Sequence, residues 1–171
     1  MKKYFLIILL IVSNAIFSQP TIFDVARKGT VAEMNAILSN APDLIDSLTP
    51  QGFTPLILAC YNGNLAVATF LVQQKANVNF NSSNGTALMA AIVKNDKTLT
   101  VLLLEAKANI DLQDRNGFTA LHYAIQFRNY EMIALLVQFQ ANPNIKDNSG
   151  MSPIDYALQL KDEQIQQLLN L

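Results

Sequence analysis

The chain of 171 residues contains one cysteine, one histidine and no tryptophan, and this scarcity excludes several classes of protein. The single cysteine, Cys60, cannot form a disulfide within the chain, so the fold depends on its hydrophobic core. Cys60 lies in an apolar, helix-like stretch, where we expect a buried and unreactive thiol. One cysteine and one histidine cannot supply the ligand set of a structural zinc site. Glycine-rich phosphate-binding loops and nucleophile-elbow serines are absent from the sequence as well.

Charged residues are also few, at 15% of the chain, whereas apolar residues make up 51%. This apolar content predicts a folded chain with a substantial core, because disordered chains have low apolar content. The 12 basic and 13 acidic residues give a formal net charge of −1, and the basic residues form no stripe of the kind that binds nucleic acid. The length allows one compact domain or one short repeat array.

Residues 1–18 have the pattern of an export signal. Two lysines precede an unbroken apolar run at residues 4–12, and two polar residues follow it. Even residues 4–17 number only 14, fewer than the roughly 20 that cross a bilayer. We expect cleavage after Ser18, which would leave 10 basic and 13 acidic residues and a net charge of −3. The alternative is an uncleaved segment that anchors the protein to a membrane.

The rest of the chain repeats itself with a period of about 33 residues. One motif occurs at residues 52–56 (GFTPL), 117–121 (GFTAL) and 150–154 (GMSPI), with a shortened copy at 85–88 (GTAL). A second motif recurs in step with the first, at residues 75–79 (KANVN), 107–111 (KANID) and 140–144 (QANPN). Two motifs that share one period indicate a stack of similar units, each burying its apolar face against its neighbours.

These motifs resemble the ankyrin repeat, whose unit of about 33 residues carries a T-P-L-H-x-A signature. Residues 119–124 (TALHYA) match that signature at all but its proline. The resemblance implies an all-α fold, an ankyrin-repeat solenoid of stacked helix-turn-helix units joined by short β-hairpin-like loops. We predict repeats at about residues 19–48, 49–81, 82–113, 114–146 and 147–171, of which the first and the last are caps.

Each of the last four predicted repeats contains a helix start, in which a hydroxyl residue precedes Pro or Ala. The hydroxyl can cap the helix, and the next position tolerates the loss of an N–H. The predicted caps are Thr54, Thr86, Thr119 and Ser152.

The sequence departs from the ankyrin pattern in two ways. Lys75, Lys107 and Gln140 stand where the family has glycine, so a left-handed backbone there would cost about 1 kcal/mol at each position. The third copy also lacks one residue between Gly85 and Thr86, which predicts a shorter or tilted hairpin.

The sequence offers little to catalysis. His122 occupies the signature position at which the ankyrin side chain holds a turn by local hydrogen bonds, so we interpret it as structural. The acidic residues are spread singly through the copies, as is usual for solvated surface or helix ends. We therefore predict neither an enzyme nor a bound cofactor.

Ankyrin proteins usually hold partners with the hairpin tips and the first helices, which line a concave face. Phe53, Phe118 and Met151 occupy equivalent tips and could form an apolar row there, which the shortened third copy interrupts. Alternatively, these side chains pack on the adjacent hairpin and only stiffen the array. The residues that we predict to bind a partner are Gln51, Phe53, Tyr61, Asn62, Lys94, Arg115, Asn116, Phe118, Gln126, Phe127 and Met151.

Together, these features predict a monomeric, non-catalytic module that binds a protein partner outside the cytoplasm, in the periplasm or after secretion. Two other roles stay open, a specific inhibitor or immunity factor for an exported enzyme and a structural adaptor. A hydrolase is the least favoured alternative. The sequence does not identify the partner, because repeat scaffolds present variable surfaces.

Overall fold

The computed structural model describes residues 20–171, so the predicted export signal and its cleavage point lie outside the described residues. The α-helices of this part are α1 (Ile22–Lys28), α2 (Val31–Asn40), α3 (Pro55–Tyr61), α4 (Leu65–Gln73), α5 (Ala87–Val93), α6 (Lys97–Glu105), α7 (Ala120–Gln126), α8 (Tyr130–Gln138), α9 (Pro153–Leu160) and α10 (Glu163–Leu168). A 3₁₀ helix covers Pro42–Asp46. Among these helices, none has both the length and the apolar character that a membrane span requires.

The helices pack in pairs, α1 with α2, α3 with α4, and so on to α9 with α10. The first helices of the pairs contact one another in chain order and form one layer, while α2, α4 and α6 form a row behind them. Residues 20–171 contain no extended strand, and their one isolated β-bridge joins Ser82 to Gly85. The predicted all-α solenoid is therefore confirmed, whereas the exact repeat bounds stay a prediction.

The core consists of equivalent residues stacked from one unit to the next. In the first helices the leucine of the signature motif is fully buried, as Leu56, Leu88 and Leu121. In the second helices the corresponding series is Leu71, Leu103 and Leu136. Each enclosed leucine contributes roughly 1.5 to 3 kcal/mol of transfer free energy. Because each series lies between units, this free energy is available only to the stack.

The predicted helix starts are confirmed. The hydroxyl oxygens of Thr54 and Thr86 each accept a hydrogen bond from the backbone N–H three residues on, at 3.3 Å. Ser152 does the same at 3.2 Å, and Asp155 closes a capping box by accepting from the backbone N–H of Ser152 at 2.8 Å. Thr119 also begins its helix, although its capping partner is His122. These contacts pair backbone donors that a helix start leaves free.

The backbone is left-handed at the three positions where the family has glycine. Lys75, Lys107 and Gln140 have φ values of 69°, 65° and 64°. A second series, at the ends of the first helices, was not predicted from the sequence: Gly63, Asn95, Arg128 and Lys161 all have positive φ. Only one of these seven positions is glycine, so the other six each carry backbone strain of about 1 kcal/mol.

Replacing Gln140 with glycine should therefore stabilise the protein by about 1 kcal/mol, because glycine adopts this backbone without strain. The measurement is the free energy of unfolding in urea. The matched control is Ala134→Gly, at an exposed position inside α8, which should destabilise the protein by about as much. A loss of stability in both variants would contradict the strain at Gln140.

A ladder of side-chain hydrogen bonds joins the turns that follow the second helices. In each step, a side-chain oxygen of one unit accepts from a backbone N–H of the next. The pairs are Asp46 with Asn77 (2.9 Å), Asn79 with Asn109 (2.6 Å) and Asp111 with Asn142 (2.9 Å). The ladder satisfies backbone donors at the edge of the stack and fixes the register of adjacent units.

Candidate functional site

The hairpin of the fourth unit is held by a buried carboxylate. Asp114 Oδ1 accepts from the backbone N–H groups of Asn116 (2.8 Å) and Phe118 (2.9 Å). Its other oxygen accepts from the hydroxyl of Tyr123 at 2.6 Å. Asp114 therefore fixes the backbone of the hairpin tip and connects the tip to helix α7.

The last hairpin repeats this arrangement. Asp147 accepts from the backbone N–H groups of Ser149 (2.8 Å) and Met151 (3.0 Å) and from the hydroxyl of Tyr156 (2.6 Å). Burial alone would raise the pKa of Asp147, but these three hydrogen bonds outweigh it and lower the pKa below its ordinary value. The bond to Asp147, together with burial, raises the pKa of Tyr156 in turn.

The lowered pKa of Asp147 predicts a loss of stability in acid. A carboxylate with a depressed pKa in the folded state stabilises the protein above its ordinary pKa of 3.8, and this contribution is lost as the pH falls through the lower folded value. Urea unfolding between pH 6 and pH 2.5 should show the loss. The variant Asp147→Asn should be less stable at pH 6 and should lose less stability on acidification than the parent. An equal acid-induced loss in the two proteins would contradict the role of Asp147.

The third hairpin differs, as its missing residue predicted. Ser82 and Gly85 exchange both of their backbone hydrogen bonds, at 3.2 and 3.0 Å, so only two residues separate them. In the fourth unit, the corresponding bond joins Asp114 to Phe118 and encloses three residues. The third tip therefore carries no aromatic residue after its glycine and is shorter than its neighbours.

An apolar groove lies beside this short hairpin, with a volume of about 300 Å³. Its lining comes from the second, third and fourth units. The lining residues are Phe53, Ile57, Leu58, Tyr61, Asn84, Thr86, Met89, Ala90, Val93, Tyr123 and Phe127. The groove thus forms where the short hairpin leaves space between the tip of the second unit and helix α7.

A small side chain on the floor contributes to this space. Ala90 is the fifth residue of its unit counted from the cap Thr86, and the equivalent residues are Leu58 in the second unit and Tyr123 in the fourth. The larger side chains at these equivalent positions lie on either side of Ala90 and form walls of the groove. The short hairpin and Ala90 are both features of the third unit alone.

Exposed apolar side chains form the rim. Tyr61 is 52% exposed, Val93 38% and Phe127 57%. They stand at the ends of three successive first helices, so they form a row across the units. The ammonium of Lys94 lies 5.0 Å from the centre of the Tyr61 ring, a cation–π contact that holds the lysine at the rim. Large, exposed aromatic side chains beside an apolar depression are typical of protein interfaces.

The structure brings some of the predicted binding residues together. Phe53, Tyr61 and Phe127 line the groove, and Lys94 adjoins it through Tyr61. The others that lie exposed at tips or helix ends are Gln51, Asn62, Arg115, Asn116 and Gln126. Asn62 also donates from its side chain to the carbonyl of Leu58, at 2.8 Å. The assignment of all these residues to a partner stays a prediction.

Phe118 and Met151 lie apart from the groove lining and are half-buried. The ring of Phe118 stacks on His122, with centroids 5.2 Å apart, and meets the edges of Tyr123 and Tyr156. Phe118 thus packs between units, as the alternative interpretation of the tips supposes. Whether it also contacts a partner stays a prediction.

His122 is buried and fully engaged. Its Nδ1 accepts from the backbone N–H of Thr119 at 3.0 Å, which places the proton on Nε2, 3.3 Å from the carbonyl of Met151 in the next unit. Burial lowers the pKa of His122, and the nearby Met151 carbonyl and two aspartates offset part of this effect. A neutral ring with both nitrogens occupied holds a turn, so this geometry favours the structural interpretation.

Cys60 is buried too, and burial raises the pKa of its thiol to about 12. A thiol with so high a pKa is protonated at neutral pH and is a poor nucleophile. Within residues 20–171, no three His, Cys, Asp or Glu side chains cluster in a way that could hold a metal ion. The groove itself is lined by apolar and uncharged side chains, which suit binding rather than acid–base chemistry.

Paired helices stacked in series, with tight turns in place of strands, define a helical repeat solenoid. The family model for ankyrin repeats in three copies matches residues 22–114 and again residues 94–170. The chain therefore belongs to the ankyrin-repeat family, as its two motifs predicted. Members of this family are generally protein-interaction modules, and the repeat fold is typically non-catalytic.

Three relatives illustrate the likeness. Ankyrin repeat and SAM domain-containing protein 6 of Rattus norvegicus is 32% identical over 104 residues, 60% of this chain and 12% of that protein. A putative ankyrin repeat-containing protein of Treponema pallidum (strain Nichols) is 35% identical over 99 residues, 57% of this chain and 33% of that protein. The NAD-capped RNA hydrolase NUDT12 of Homo sapiens is 32% identical over 83 residues, 48% of this chain and 18% of that protein. This chain thus spans a third or less of each relative.

The sequence interpretation missed most of the groove. Leu58, Asn84, Met89 and Ala90 were not among the predicted binding residues, although they form much of its wall and floor. Two signals in the sequence point to the site: the residue missing after Gly85, and an alanine where the neighbouring copies have leucine and tyrosine. Neither signal predicts a groove by itself, because the groove forms only when neighbouring units are stacked.

Proposed function

We propose that this protein is a non-catalytic binding module that acts outside the cytoplasm and engages a protein partner through its concave face. The apolar groove with its exposed aromatic rim supports this proposal most directly. An apolar depression bordered by Tyr61 and Phe127 is costly to leave in water, and its cover by a partner would recover that free energy. Action outside the cytoplasm is supported by the signal-like residues 1–18 alone.

Substitutions on the rim should weaken capture of a partner. We expect Tyr61→Ser with Phe127→Ser to lower recovery at least tenfold in pull-downs from periplasmic or extracellular extract, since buried aromatic anchors dominate binding energy. Phe139→Ser is the control, because Phe139 is an exposed aromatic residue at the end of a second helix, outside the groove lining. A second double variant, Phe53→Ser with Phe118→Ser, tests the predicted apolar row at the tips.

Phe53 also lines the groove, so the two surfaces are separated when one double variant loses the partner and the other does not. Loss of the partner in the rim variant alone would leave the groove and its rim as the binding surface and remove the row of tips. Full recovery by every variant would contradict the proposed binding surface. Circular dichroism melting curves establish that each variant is folded at the assay temperature. This control is needed because Phe118 also packs inside the array.

Export has a separate test. Mass spectrometry of the purified protein should show a chain that begins at Gln19, the residue after the predicted cleavage point. A chain that still begins at Met1 or Lys2 would contradict cleavage and favour the membrane-anchored alternative.

A specific inhibitor or immunity factor for an exported enzyme is a narrower form of the same function. It predicts one partner, captured in a stoichiometric complex, whereas an adaptor should capture several partners weakly. Quantitative mass spectrometry of the captured proteins separates the two roles. Loss of a captured enzyme's activity on addition of the chain would establish inhibition.

A further inference from the structure

We propose that the groove beside the short third hairpin receives a segment of the partner that carries an apolar side chain flanked by carboxylates. This inference rests on the proposed function and specifies the chemistry that the groove selects. It follows from the lining of the groove and from the charges that surround it.

The lining accounts for the apolar part of the segment. Met89 and Ala90 form the floor, and Leu58, Tyr123 and Phe53 contribute walls, so any occupant must fill an apolar space of about 300 Å³. This volume accommodates one or two large apolar side chains. Asn84, also in the lining and exposed, offers a polar side chain to a backbone lying across the opening.

The surrounding charges account for the carboxylates. Of the described residues that line the groove, none is charged, and Lys94 and Arg115 adjoin it. Lys94 lies over the ring of Tyr61. Arg115 stands at the fourth tip, where its backbone N–H meets the carbonyl of Ser83 at 3.4 Å. Its charge acts on Tyr123 together with the opposite charge of the buried Asp114. In residues 20–171, neither cation has a carboxylate within ion-pair distance.

The nearby carboxylates are already engaged. Asp114 is buried beneath the fourth hairpin. Glu131 and Asp162 form ion pairs with Lys97 at 2.8 Å and Arg128 at 3.8 Å. The exposed charges next to the groove that have no ion-pair partner are therefore those of Lys94 and Arg115. The buried carboxylate of Asp114 offsets part of their positive potential, and the chain as a whole is slightly acidic. A partner with carboxylates beside its apolar anchor complements the two cations, and a partner with cations there is repelled.

The same reasoning disfavours the chain's own first residues as the occupant. Residues 1–19 are apolar, but their charged residues are two lysines and they contain no acid.

The row from Tyr61 to Phe127 crosses two steps of the stack, about 20 Å at the usual helix spacing. This distance corresponds to about six residues of extended chain.

Fluorescent dodecapeptide pools test the inference directly. In the first two pools the central residue of each peptide is Leu, Ile, Phe or Met. Acidic residues flank it on both sides in the first pool, and basic residues flank it in the second. A third pool keeps the acidic flanks and has serine at the centre. The protein is produced from its full sequence and purified in the form that the cells release, and binding is followed by fluorescence anisotropy.

We expect the acidic–apolar pool to bind at least tenfold more tightly than either other pool. Ala90→Tyr should abolish this binding by filling the groove, and the fold accommodates tyrosine at this position in the next two units, as Tyr123 and Tyr156. Lys94→Glu with Arg115→Glu should remove the preference for acidic flanks. The control Lys107→Glu changes an exposed cation on a second-helix turn outside the groove lining and should leave binding unchanged.

Equal binding of the acidic and basic pools, or undiminished binding by Ala90→Tyr, would overturn the inference, as would absence of peptide binding. A dimer in light scattering that Ala90→Tyr dissociates would assign the groove to a second copy of the chain and overturn it too. The proposed function fails separately: wild-type protein that captures no protein partner contradicts the function, whereas a partner retained by Ala90→Tyr contradicts only the groove.

Discussion

Replacing His122 with alanine should lower the free energy of unfolding by about 4 kcal/mol, out of a total of about 5 to 15 kcal/mol for a protein of this kind. Two losses add to this value. The backbone N–H of Thr119 would remain buried without an acceptor, which costs about 1 to 3 kcal/mol. The imidazole would also leave a cavity beneath the ring of Phe118, which stacks on it. Urea unfolding monitored by circular dichroism measures the change.

Two further substitutions separate these losses. His122→Met restores volume without an acceptor, and the third unit already carries Met89 at the equivalent position. His122→Gln restores an acceptor at the third helical position, where glutamine forms capping boxes. We expect both variants to be more stable than the alanine variant. An alanine variant within 1 kcal/mol of the parent would contradict a structural role for His122.

The same histidine should make stability depend on pH near neutrality. Its folded pKa lies below its ordinary value of 6.5, so its contribution is fully present above pH 6.5 and is lost as the pH falls through the lower folded value. The negative charges of Asp147 and Asp114 act to raise the pKa of His122 and so reduce this shift without reversing it. His122→Met should lack this component and retain the loss at lower pH that the carboxylates cause.

The parts of the fold that were predicted from the sequence are those set by short-range rules. A hydroxyl before Pro or Ala caps a helix whatever surrounds it, so Thr54 and Ser152 could be assigned with no knowledge of packing. The left-handed ends at Lys75 and Gln140 followed from the position of glycine in the family pattern. The equivalent ends at Asn95 and Arg128 were missed because polar residues there give no comparable signal, although the second copy has Gly63.

The groove could not be predicted in the same way because it depends on the space that the side chains of several stacked units leave between them. The missing residue after Gly85 was visible in the sequence, but its result depends on the volumes of Leu58 and Tyr123, which lie 32 and 33 residues from Ala90. The carboxylate under each of the last two hairpins was missed for a related reason. Asp114 and Tyr123 are nine residues apart and meet only when the hairpin folds over the helix.

Replacing Gly117 with alanine should destabilise the protein by about 3 kcal/mol. Its φ of +80° is strained for any side chain, and this alone costs about 1 to 2 kcal/mol. An added Cβ would also lie 2.7 Å from the backbone nitrogen of Asn148 and 2.8 Å from the Cα of Asp147, in the next hairpin. Because both contacts are with backbone, the hairpins must separate, which would strain the hydrogen bond from Asn148 to the carbonyl of Asn116 (3.0 Å).

Gly150 supplies the matched control. It has the same backbone, with a φ of +81°, and a Cβ there would meet no atom within 4 Å. Gly150→Ala should therefore cost only the backbone strain, about 1 to 2 kcal/mol, and the difference between the two variants isolates the contact between hairpins. Equal losses would show that the fourth and fifth tips are not in close contact. A larger loss of stability in Gly117→Ala would mean that this glycine sets how closely successive hairpins approach. The width of the concave face depends on that approach.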